Sequence, residues 1–254
     1  MAFASWNQQP VNESTLLHQE EIQNPTKALA KTFGYMAIGV GITGVVAVLL
    51  GFLFGRILGT ADLDTFNTAA GVYIGILIAS FIGMLIDSIV ISAVVARGRT
   101  SVWPAYIVYT VLMGAFISAF LVIGIDFWTM GEALAIAMVA FGGMFLIGYF
   151  SKINLNPLGL VAIGLLFMAI LFGSFWGIMF AATGAIAVFD LVFSLIVCGL
   201  FMIIAAVDAY NIKRILANGD ATNNICLYCA YIMYCDFIVI FIRVLYILAK
   251  LKSR

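Results

Sequence analysis

The chain has 254 residues, of which 65% are hydrophobic and 9% charged, with 12 basic and 12 acidic side chains giving no net formal charge. A soluble domain is about half apolar and about a quarter charged, so this composition excludes a water-soluble globule and makes lipid the solvent for most of the surface. The absence of a basic excess argues against a nucleic-acid partner, and the single histidine, His18 in the polar N-terminal stretch, excludes a histidine metal site or a Ser-His-Asp set inside the apolar part. The apolar runs are continuous and long enough to cross a bilayer core as helices of about 20 residues. A transmembrane barrel would instead alternate polar and apolar residues over segments of about ten. The expected class is therefore an all-α integral membrane protein, each segment satisfying its own backbone hydrogen bonds.

Residues 1–26 form a polar tail without the basic start, apolar stretch and small-residue cleavage site of a signal peptide, and are expected to lie in the cytoplasm. Residues 27–254 form the membrane domain, with crossings expected near 32–54, 69–96, 103–125, 130–150, 157–179, 184–212 and 225–249. The fifth and sixth come from one run between Pro157 and Val207, too long for one crossing and divided near Ala181–Ala185. Six and eight crossings are the alternatives to seven. The polar punctuation is short, at Asp62 and Asp64, Arg97 to Ser101, Asp126 to Glu132, Lys152 to Asn156, and Asn218 to Asn224. No room is left for an inserted catalytic domain, so the chain is read as a non-enzyme with no tightly bound cofactor.

Basic residues set the orientation. With the N-terminus inside, Lys27, Lys31, Arg97, Arg99, Lys152, Lys213 and Arg214 are cytoplasmic, while the outer loops hold Arg56 among Asp62, Asp64, Asp126 and Glu132. Seven crossings then put Lys250, Lys252 and Arg254 outside, a violation preferred here to a last segment that re-enters without crossing.

Ionisable residues inside a membrane are expensive and functional by default. Asp87, Asp208, Asp236 and Arg243 fall in that class, and Asp190 lies near the outer start of the sixth segment. Asp208 and Asp236 are each 14 residues from position 222 in the turn between the last two segments, so they reach the same depth on an antiparallel pair. Asp87 is 13 residues before Thr100 in the second cytoplasmic loop and falls in the same layer. Two close carboxylates in a low dielectric cannot easily both ionise, and they titrate as a unit. A shared proton would hold the two helices together, and its loss would add repulsion and expose oxygen ligands for a hard cation such as Ca2+. The plainer alternative is that buried acids hydrogen-bond to neighbours and fix helix packing. Arg243 is seven residues after Asp236, on the same helical face, and is read first as a counter-ion for an acid in another helix, with a pore role second.

Several features take a structural reading. Gly39, Gly41, Gly44, Gly142 and Gly143 are expected to permit close helix packing. Trp103, Trp128 and Trp176 are expected as interfacial anchors. Cys198, Cys226, Cys229 and Cys235 read as free apolar thiols, the single CxxC at Cys226 and Cys229 having no second pair to complete a metal site.

Two segments carry a resemblance. Residues 205–215, AAVDAYNIKRI, and 233–248, MYCDFIVIFIRVLYIL, resemble the two aspartate segments of the Bax inhibitor-1 (transmembrane Bax inhibitor motif) family, and residues 28–53 and VYTVLMGAFIS around Gly114 are compatible with it. The resemblance implies seven helices, the last one central and wrapped by the other six. It also implies a likeness to bacterial pH-sensitive calcium-leak members, in which a paired-aspartate sensor would match Asp208 and Asp236, and an arginine near the inner end of the second helix would match Arg97, or else Arg99. Departures from the pattern are the 28-residue spacing of the aspartates, Val239 where Asn is usual, the position of Arg243, and the extra acid Asp87. The expected function is a pH-sensitive passive cation leak, Ca2+ first, binding that ion transiently at Asp208 and Asp236, in a bacterial plasma membrane. The competing readings are a membrane-embedded partner of a membrane protease or stress-response complex, contacted through residues 1–26, and a proton-coupled transporter.

Overall fold

The computed structural model describes residues 24–60, 62–98, 101–181, 187–217 and 222–252, with the side chains of 63, 170 and 172–190 excepted. Its elements are seven helices, α1 (Pro25–Thr60), α2 (Leu63–Arg97), α3 (Trp103–Val122), α4 (Phe127–Phe150), α5 (Asn156–Ala181), α6 (Ala187–Ala217) and α7 (Asn223–Lys252), with no strand among the described residues. Each expected crossing corresponds to one described helix, while residues 182–185 of the expected break near Ala181–Ala185 lie outside the described residues. The helices outrun the expected spans by up to two turns, because a hydropathy window stops at the first charges while a helix continues until its backbone is capped. Gly98 closes α2 in the left-handed region at φ 63°, its N–H returning to the carbonyls of Val94 and Val95, a conformation that favours glycine. Pro104 sits in the first turn of α3, where its missing N–H removes no helical bond.

Six helices are long and apolar enough to span a membrane, α5 contributing a shorter described apolar stretch over Asn156–Ala169. Their outward faces are apolar, as Ile89, Val139 and Leu160 illustrate, each at least 70% exposed; without a lipid solvent so much apolar surface would not be left uncovered. α7 differs: 61% of its most apolar window is buried, against 22–44% for the other five. It packs on α1, α2, α3, α4 and α6, while α5 leans on α6.

Small residues set the closest approaches. A Cβ on Gly148 of α4 would fall 1.9 Å from the Ala206 carbonyl oxygen of α6, and one on Gly114 of α3 would fall 2.8 Å from the Thr43 carbonyl of α1. Gly39 likewise abuts the Tyr106 hydroxyl. By contrast Gly41, Gly44, Gly142 and Gly143 have nothing within 4 Å of an added Cβ. These four therefore do not mediate close packing, contrary to the sequence expectation: a glycine-rich helix has several glycine faces, and only one can meet a neighbour.

The ends of the bundle are tied by polar contacts. At one end Lys31 donates to Asn223 Oδ1 (2.5 Å), the Val102 N–H donates to Asn224 Oδ1 (3.4 Å), and Lys213 donates to the Tyr149 carbonyl (2.8 Å). At the other, Lys252 forms an ion pair with Glu132 (2.7 Å) and donates to Thr129 Oγ1 (3.1 Å). α7 thus runs the whole length of the bundle instead of turning back, and the lysine that broke the charge rule lies beside an acidic residue of the α3–α4 end.

Candidate functional site: a carboxyl pair between the last two helices

The antiparallel pair α6 and α7 brings Asp208 and Asp236 together, and their carboxyls interact as a side-chain hydrogen-bonding pair. Equal spacing from the turn produces this meeting, since both helices rise about 1.5 Å per residue. Asp236 is 8% exposed and Asp208 is half-buried. A carboxylate has no donor of its own, so a hydrogen bond between two carboxyls requires one proton held between them. Cys235 lies close enough to both acids to feel their charge, and Tyr228 is near Asp208.

Around the pair is a cluster of tyrosines that sequence reasoning missed. Tyr228, Tyr231 and Tyr234 recur every three residues on α7, and Tyr106 and Tyr109 on α3 meet them edge to face, with ring centroids 5.0–6.0 Å apart for Tyr109–Tyr231, Tyr106–Tyr234 and Tyr109–Tyr234. The Tyr234 hydroxyl is joined to Thr43 Oγ1 of α1 at 2.5 Å, Thr43 in turn bonds the Thr110 carbonyl (3.0 Å), and Cys235 Sγ lies 3.6 Å from the Tyr109 hydroxyl. The i, i+3 tyrosine spacing was the available signal, since a tyrosine hydroxyl in a membrane interior seeks a partner within the protein.

α2 closes the other side. Tyr228 faces Ser92, and Tyr231 faces Ser88 and Tyr109. This antiparallel register fixes the remaining candidates. Asp87, next to Ser88, falls about one turn from the level of Asp236, near the expected layer. It is 8% exposed, and its Oδ2 has no hydrogen-bond partner among the described residues. Arg97 continues five residues beyond Ser92, about 8 Å further from the pair than Tyr228, which is itself about 12 Å along α7 from Asp236. It is exposed at the end of α2 and forms no ion pair among the described residues. The structure does not bring Arg97 to the carboxyl pair. Arg99, His18, Arg254, and the side chains of Asp190 and Trp176 lie outside the described residues.

Arg243 is half-buried on α7 and close to Cys198 of α6. All four cysteines are free thiols, three of them buried. Trp128 projects at the start of α4 with 81% exposure, whereas Trp103 packs edge-on against Tyr35 at 4.9 Å. Among the described residues no group of three or more His, Cys, Asp or Glu side chains could hold a metal ion. What the pair can do by itself is exchange a proton and, once ionised, present carboxylate oxygens from two different helices.

No curated protein and no solved structure matches the chain. The family model described as inhibitor of apoptosis-promoting Bax1 matches residues 26–253, which takes in all seven helices except the first residue of α1. The chain belongs to the Bax inhibitor-1 family of multi-pass membrane proteins.

Proposed function

We propose that the chain is a pH-sensitive passive leak for cations, Ca2+ first, gated by the Asp208–Asp236 pair. The observation that carries this reading is the direct contact of two carboxyls from different helices in a buried layer. With one shared proton the pair is a link between α6 and α7; without it the pair is two like charges facing one another. Protonation therefore favours the closed arrangement and deprotonation the open one. Asp87, one turn away on α2 with an unpartnered buried oxygen, extends the acidic layer toward a third helix. Seven crossings, with α7 at the centre, a cytoplasmic N-terminus and a bacterial plasma membrane, complete the reading. Its supports are the end-to-end course of α7, its contacts with five helices, and the gathering of Lys31 and Lys213 at one end of the bundle.

The test is calcium flux into liposomes holding the purified full chain, read across about pH 6 to 8, a window on the acidic and basic sides of neutrality in which a protein carboxyl pair can exchange its proton. Flux that rises with pH supports the leak. Flux no greater than that of empty liposomes at every pH refutes it.

A further inference from the structure

α1 and α4 meet at one end of the bundle, where Phe33 and Phe145 pack edge to face at 4.9 Å. Toward the other end they diverge around a cavity of about 230 Å³ whose floor is Ile238 and Phe241 of α7 and whose walls include Gly44 and Ala47 of α1 and Gly131 and Leu134 of α4. Two of those wall residues are glycines with nothing within 4 Å of an added Cβ, so the width of the cleft comes from missing side chains. Phe127 lines both this cavity and a second one of about 380 Å³, which continues to the end of the bundle and is bordered by Arg56 and Asp126. Together the two spaces fall within the ~300–1,000 Å³ range of small-molecule sites. The cleft from Thr43 to Arg56 is about 20 Å long at the helical rise per residue, somewhat more than one leaflet's share of a ~30 Å hydrocarbon core.

The chemistry changes along that length. The inner cavity is almost wholly apolar, with Thr43 already bonded to Tyr234 and to the Thr110 carbonyl. The outer cavity offers one cation and one anion that form no ion pair with each other, although they border the same space. An apolar slot one leaflet deep, ending in an opposed pair of charges, is complementary to a zwitterionic phospholipid. The guanidinium presents paired donors to a phosphate, and the Asp126 carboxylate accepts from an ammonium. A primary ammonium donates hydrogen bonds to that carboxylate and a quaternary one does not, so the fit favours ethanolamine over choline. A glycerol headgroup would leave a net anion facing Asp126.

We propose that the α1–α4 cleft holds one phosphatidylethanolamine molecule, its acyl chain against Ile238 and Phe241 and its headgroup between Arg56 and Asp126. Bound there, the lipid wedges apart two of the helices that flank α7, and it does so whether or not the chain conducts ions.

The experiment is native mass spectrometry of the detergent-purified, delipidated full chain offered equal amounts of phosphatidylethanolamine, phosphatidylcholine and phosphatidylglycerol. The wild type is expected to retain one ethanolamine lipid, preferred by about tenfold, which corresponds to about 1.4 kcal/mol. The double variant Gly44→Leu, Gly131→Leu, which fills the slot without meeting protein atoms at the Cβ positions, is expected to lose that retention. Arg56→Gln and Asp126→Asn, both at exposed positions where folding is not at stake, are each expected to abolish the headgroup preference. Equal retention of the three lipids by the wild type, a preference for phosphatidylglycerol, or an unchanged preference in Arg56→Gln and Asp126→Asn overturns the proposal.

Discussion

Replacing Asp236 with Asn is the sharpest probe of the carboxyl pair, because the side chain keeps its size and can still donate a hydrogen bond to Asp208. In the native protein, loss of the shared proton leaves two negative charges in contact. At about 4 Å and an effective dielectric near 20, such charges repel by about 4 kcal/mol. A shift of that size changes a two-state equilibrium by nearly a thousandfold. On the proposed leak, the open state holds fewer protons than the closed one, so raising the pH is expected to favour opening. One proton released per opening limits the response to tenfold per pH unit, or about a hundredfold between pH 6 and 8. In Asp236→Asn the repulsion cannot arise, and the same flux assay is expected to vary by less than about twofold over that range, the residual drift being that of the other titrating groups. Asp208→Asn should behave in the same way, since the contact is mutual. A wild-type pH slope in either variant would refute the shared-proton gate even if the protein conducts calcium.

Two further outcomes check the packing around the pair. Gly148→Leu places a side chain where the Ala206 backbone already lies, 1.9 Å from the Cβ position, so α4 and α6 must separate; destabilisation of at least about 1–3 kcal/mol is expected, visible as a lower thermal midpoint in detergent, whereas Gly142→Leu, with open space at its Cβ, should leave the midpoint unchanged. Tyr234→Phe removes a fully buried hydroxyl from Thr43 and is expected to lower stability by about 0.6 kcal/mol, and by no more than about 1.7, since Thr43 keeps its bond to the Thr110 carbonyl; chemical denaturation that shows a larger loss would mean that the tyrosine carries more than one hydrogen bond.

Helix number and order were legible because hydropathy reports where lipid is the solvent, and nothing else in a chain this apolar competes with that signal. The contact of Asp208 with Asp236 was legible for a geometric reason, as equal counts from a turn give equal depth. The pairing of Arg97 with the carboxyls came from the resemblance alone. Ten residues separate it from Asp87 along α2, about 15 Å, and the register of Ser88 and Ser92 against the tyrosines keeps it away from the pair. The glycines were over-read for a related reason: composition says that a helix offers small faces, but only the packing decides whether Gly148 or Gly142 meets a neighbour. The last lysines were placed, against the charge rule, at the end of the bundle that carries Glu132, and the ion pair accords with that placement. Counted along the chain they oppose the charge rule, while in space Lys252 lies 2.7 Å from Glu132, a residue 120 positions earlier that no local pattern connects to it.

These contacts also bear on which helix yields when the pair ionises. α7 is held at one end by Asn223 and Asn224, at the other by Lys252, and between them by Tyr234 on Thr43. It is packed on five neighbours, and a larger share of its apolar interior is buried than in the other five long apolar helices among the described residues. α6 packs on α1, α4 and α5 as well as on α7, and its tie at the Lys31 end of the bundle is the bond from Lys213 to the Tyr149 carbonyl of α4. Repulsion acts equally on both partners, but displacement follows the softer one. Moving α7 would disturb contacts with α1, α2, α3 and α4 at once, whereas moving α6 with α5 disturbs those with α4, at the close approach of Gly148 to Ala206, and with α1. On the proposed gate, one carboxyl stands on the helix with five packed neighbours and the other on a helix with four, so α6 is the partner expected to give way.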